Sequence, residues 1–236
     1  MKIKKLKISN SPNSRNLKIL AIGDTHGDLR KVKQIPIKGV DLILLTGDLG
    51  SSDLMRKMHF VNIERQKQGL AKIEYSPKQK KVAFMESYSS TIHMVKYLAK
   101  FAPVYVIFGN VENSNSDTRE ISKEIGMKLP FLSDSFKKIS RVRIINNIVA
   151  NFRGLRIGGL EYFTDASWVR EFKPSNYQEN LRAVLKQNKK TKIILRNFGT
   201  VDILLCHQPP YGILDKVSSK IAPKRLFLLY NLRNEK

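Results

Sequence analysis

A chain of 236 residues with 42% apolar content suits one large domain or two small ones and fills a substantial core. No run approaches the roughly 18–20 uninterrupted apolar residues that span a bilayer, and a lone cysteine, Cys206, rules out an intramolecular disulfide framework. The expectation is a soluble, unprocessed, cytoplasmic protein without membrane association.

The formal charge of +23 fits an anionic partner. Basic residues, however, are spread over 1–18, 56–100, 186–196 and 216–236, mostly without interleaved aromatics, and no nucleic-acid motif accompanies them. This pattern predicts weak, sequence-blind polyanion binding rather than a specific target.

Residues 1–16 read as a basic leader with a loop at 9–14. The first core strand is expected over 18–22, followed by Gly23, Asp24, His26 and Asp28 on a turn. A short helix over 29–39 should break near Pro36. The continuously apolar run 42–45 lies in a strand covered on both faces and ends in Gly47-Asp48. Leu54, Met58 and Val61 then recur at helical spacing, which predicts an amphipathic helix closed near Gly69. Ser76, Pro77 and Gln79 form a helix start with a capping box, and the helix should run to about Lys100. His59 and His93 read as surface or packing residues.

A third buried strand over 104–108 ends in Gly109-Asn110, followed by a mixed stretch to Ser140. Short strands are expected at 142–145, 148–152 and 155–157, with a loop opening at Gly158-Gly159. Residues 177–188 look helical. A fourth apolar strand, 201–206, delivers His207 and then Pro209-Pro210. No repeat or linker divides the chain, so 1–236 reads as a single domain whose end, 217–236, is atypical.

Four strands thus each end in a group able to hold a metal: Asp24 with His26, Asp48, Asn110 and His207. In open α/β architectures such groups collect at the carboxyl ends of strands. Each Gly-Asp or Gly-Asn pair alone would be ordinary turn chemistry, whereas the series argues for a site. Carboxylate, amide and imidazole together favour Mn, Fe, Zn or Ni. Glu112 and Asn113 are placed to order the surroundings of Asn110.

In order and spacing, Gly23-Asp24-Thr25-His26-Gly27, Gly47-Asp48, Gly109-Asn110-Val111-Glu112 and His207 resemble the calcineurin-like metallophosphoesterases, over roughly residues 18–212. The resemblance implies an α/β sandwich of two sheets flanked by helices. It also implies two divalent metal ions: Asp24 and His26 on the first, Asp48 bridging, Asn110 and His207 on the second. Phosphate esters would be hydrolysed by attack of a metal-bridging hydroxide.

Two departures stand out. Val111 replaces a histidine that usually follows the asparagine and helps the leaving group, which points toward diesters. No histidine follows His207, so the family's Gly-His-x-His element is missing and each metal lacks one expected ligand. These departures motivate an alternative, a non-catalytic binding or scaffold module on the same fold. The charge motivates another, a nuclease-like nucleic-acid binder.

Overall fold

Leu42–Leu45, four apolar residues without a break, form strand β2, and every one of them is fully buried. Removing a leucine-sized side chain from water contributes about 1.5–3 kcal/mol, so this strand belongs at the centre of a sheet. The computed structural model, which describes residues 17–163, 166, 169, 170 and 176–208, places it there. The expectations for the leader 1–16, for Pro209-Pro210 and for 217–236 lie outside the described residues.

Chain contacts divide the protein into two compact units, Met1–Ile144 and Ile145–Lys236. In the first, β1 (Ile19–Ile22), β2, β3 (Val104–Val106) and β4 (Val142–Ile144) form a parallel sheet in that order. Ile22 pairs with Leu45, and Leu45 with Val106, so all three strands end at the same level. Leu20, Ile22, Ile43, Leu45, Val104 and Val106 join one core cluster with helix residues such as Val95 and Leu98.

The helices of this unit are α1 (Leu29–Lys33), α2 (Asp53–Lys67), α3 (Pro77–Ala99), α4 (Asn115–Ile125) and α5 (Leu132–Lys137). Helix α3 begins as its sequence requires. The Ser76 hydroxyl accepts from the Gln79 N–H at 3.3 Å, and the Gln79 side chain accepts from the Ser76 N–H at 2.9 Å. Such a cap contributes about 1 kcal/mol. Three expectations need correction. Helix α1 stops at Lys33, short of the expected 39. Among the described residues, α2 is helical yet buries none of its own side chains, so its apolar stripe does not face a core. The mixed stretch holds α4 and α5, and a Ser114–Asp117 capping box marks the start of α4.

In the second unit, β5 (Ile148–Phe152) runs antiparallel to β6 (Leu155–Leu160), which is parallel to β7 (Ile203–Cys206). Helix α6 spans Tyr177–Phe198, ten residues past its expected end. Gly158 and Gly159 continue β6 rather than opening a loop. A Cβ at Gly158 would lie 2.8 Å from the Phe198 ring; glycine here admits the helix onto the sheet. The expected fold class, α/β with two sheets flanked by helices, is the one observed.

Candidate metal centre

Because β1, β2 and β3 are parallel neighbours in register, the residues after them emerge at one end of one sheet. The tails stay laced beyond the strands. The Asp24 N–H donates to the Gly47 carbonyl at 3.1 Å and the His26 N–H to the Asp48 carbonyl at 3.0 Å. Asp24, His26 and Asp48 all take left-handed backbone conformations, with φ of 50°, 43° and 52°. Aspartate, asparagine and histidine tolerate that region better than other side chains.

Gly47, at φ 94°, has a separate reason to be glycine. A Cβ there would sit 2.3 Å from the Gly109 nitrogen. The β2 and β3 tails therefore touch backbone to backbone, which brings Asp48 beside the Gly109-Asn110 turn. The Val111 N–H donates to Asp48 Oδ1 at 3.0 Å. His26 Nε2 lies 4.0 Å from Asp48 Oδ2. A carboxylate oxygen of Asp24 lies within 4.8 Å of one of Asp48. Asp48 is buried, Asp24 half-buried, and His26 and Asn110 exposed.

Glu112 does more than order the surroundings of Asn110. It is buried, and its carboxylate gathers backbone donors from both tails: Asp48 at 2.8 Å, Leu49 at 2.7 Å, Gly109 at 2.9 Å and, more weakly, Gly50 at 3.4 Å. Burial, and next the neighbouring Asp48 carboxylate, push the Glu112 carboxyl above its ordinary range, while the N–H donors of Leu49, Gly109 and Asp48 pull it back. Every hydrogen bond made here to Glu112 comes from a main-chain donor, so its place in the sequence gives little hint of this reach.

The first unit thus assembles Asp24, His26, Asp48 and Asn110 at one sheet end. Two carboxylates this close repel each other unless a cation or proton sits with them. Oxygen and imidazole donors are those a divalent transition ion takes, so the residues present fit the implied metal. His207 belongs to the second unit, immediately after β7. It is buried, and its ring meets Tyr162 edge-on with centroids 5.7 Å apart. Gln208 next to it is tied to the Phe163 main chain in both directions. Glu161 is half-buried and held by Asn147. His59 and His93 are exposed, in line with their reading as surface residues.

Among the described residues, no helix is long and apolar enough to cross a membrane. No curated protein matches the chain. A solved crystal structure is similar at 15% identity, over 62% of this chain and 54% of that one, with a TM-score of 0.40. The chain therefore spans about half the length of the structure it matches. A family model described as calcineurin-like phosphoesterase covers residues 17–231, most of the chain, and the chain belongs to the calcineurin-like phosphoesterases.

Proposed function

We propose that residues 1–236 make up one metallophosphoesterase domain that hydrolyses phosphodiesters with two divalent metal ions, drawn from Mn, Fe, Zn or Ni. In this reading Asp24 and His26 hold the first ion, Asp48 bridges, and Asn110 and His207 hold the second, with His207 assigned from the family order of motifs. When bound, the ions supply Lewis acidity toward a phosphoryl oxygen and lower the pKa of a coordinated water. The protein's own part is positioning. Glu112 and the Val111 N–H fix Asp48 from behind, and the laced tails of β1 and β2 fix Asp24 and His26.

The single observation that carries this reading is the delivery of Asp24, His26, Asp48 and Asn110 by three adjacent, in-register strands. Val111 offers no side-chain proton to a leaving group, which favours diesters with good leaving groups over monoesters. The test is hydrolysis of bis(p-nitrophenyl) phosphate and of p-nitrophenyl phosphate with added Mn²⁺. The diester should turn over faster, and Asp48→Asn should lower that rate by about 100-fold or more. Equal rates in the variant and the parent would refute the assignment.

Val111 also favours a second reading, a binding module that retains the fold without turnover. Capture of a phosphate ester that survives both chelation and Asp48→Asn would select it. We place weak polyanion binding and a cytoplasmic location beside either reading, on the strength of the charge and the lone cysteine.

A further inference from the structure

A surface helix of about 15 residues is marginal on its own and ordinarily depends on burying an apolar stripe. Helix α2 has the stripe without that burial. Two grooves run beside it. One, of about 370 Å³, is walled by Leu54, Met58 and Val61 of α2 and by Val82 of α3. The other, of about 360 Å³, reaches from Met55 and Ile63 of α2 to Ile121 of α4. Met58 and Tyr75 line both, and the Tyr75 hydroxyl donates to the Met58 carbonyl at 3.3 Å, which fixes the ridge between them. Val82 of α3 is 51% exposed, and Phe60 of α2 56%. Leu54, Met58 and Val61 share one flank with the spacing that a helical partner's i, i+3, i+4 and i+7 anchors match.

The rim is cationic. Lys57 and Lys78 edge the first groove and Lys72 the second. Lys80 is neutralised by Glu124 at 2.6 Å. Among the described residues, no acidic side chain forms an ion pair with Lys57, Lys72 or Lys78.

We propose that these two grooves form a docking site for an acidic amphipathic helix of a partner protein, its apolar anchors seated on Leu54, Met58, Val61 and Val82 and its carboxylates on the lysine rim. Methionine side chains adapt to the shape of such an occupant, and the uncompensated lysines select its charge. A second copy is a poor occupant, because a chain of charge +23 brings like charge to the rim. An anionic membrane would also meet the lysines, and binding to phosphatidylserine vesicles distinguishes it. The inference stands on α2 and α3 and is independent of the metal reading.

The test uses fluorescence anisotropy with the full chain and a fluorescein-labelled designed helical peptide. The peptide carries leucine at i, i+3, i+4 and i+7 with glutamate on the flanks; a matched control carries lysine for glutamate. The acidic peptide should bind at least about tenfold more tightly than the control. Val61→Asp should weaken it by about tenfold or more, and Lys57→Glu with Lys78→Glu should abolish the preference for acid. Val61, Lys57 and Lys78 are exposed, so these variants should keep the parent's melting temperature. Absence of saturable binding at about 100 μM peptide, a millimolar-class affinity at best, would overturn the proposal, as would identical binding by the variants. It would also be overturned by a dimer in sedimentation velocity that Val61→Asp dissolves, or by co-sedimentation with phosphatidylserine vesicles that Val61→Asp abolishes.

Discussion

The carboxylate of Glu112 accepts the main-chain N–H of Asp48 at 2.8 Å, across 64 positions of sequence. Glu112 thereby holds the loop that carries the central candidate ligand without presenting an oxygen of its own to that role. Glu112→Gln keeps the shape but turns one acceptor into a donor that faces backbone donors. The expected cost is roughly 1–3 kcal/mol of stability, read as a lower urea midpoint with an unchanged slope. An unchanged midpoint would show that the four donors do not depend on the carboxylate.

Gly47→Ala tests the close approach of the two loops. The new methyl would meet the Gly109 nitrogen at 2.3 Å, at a φ of 94° that side chains rarely adopt. Backbone cannot yield as a flexible side chain does, so the loss should be about 3 kcal/mol. Thermal melting of the purified variant measures it. A shift no larger than that of an exposed-loop substitution would mean that the tails of β2 and β3 separate readily.

Removal of metal separates chemistry from folding. Dialysis against a chelator should abolish diester hydrolysis, and Mn²⁺ or Zn²⁺ should restore it, while the far-ultraviolet circular dichroism stays constant. Constancy is expected because backbone hydrogen bonds hold the candidate ligands. Loss of secondary structure on chelation would instead identify the ion as a folding element.

Cys206 should be a poor nucleophile. Burial pushes its thiol from 9.0 up to about 11. The folded chain therefore keeps a proton between those values that the unfolded chain releases. The resulting stability is complete below the ordinary thiol range and is lost as pH rises through about 11. At pH 8, alkylation should run about 100-fold slower than that of a free thiol. Labelling kinetics followed by mass spectrometry decide it, and a rate equal to that of free cysteine would contradict the burial.

The sequence signals differed in what they could specify. Continuous apolar runs located β1, β2, β3 and β7, although only β2 and β3 are buried on both faces while β1 and β7 alternate buried and half-buried residues, and the Ser76–Gln79 cap located α3 to the residue. Gly158-Gly159 misled, since glycine ordinarily breaks strands, and only the Phe198 ring packed on Gly158 explains its place. The stripe of α2 has the right period for a core helix, but period carries no information about whether a core lies opposite. Asp24, His26, Asp48 and Asn110 were legible as strand-end residues. The reach of Glu112 was not, because main-chain donors carry no residue identity.

The left-handed conformations at Asp24, His26 and Asp48 bear on how this chain drifts under mutation. Alanine or a branched residue at these positions adds backbone strain to whatever chemistry it removes. Asparagine and glycine add little. A lineage released from selection for hydrolysis would therefore remain confined to aspartate, asparagine, histidine and glycine at positions 24, 26 and 48 by chain geometry alone. Metal-compatible side chains would persist there for longer than the activity, and counting them among descendants would overstate how many still turn over substrate.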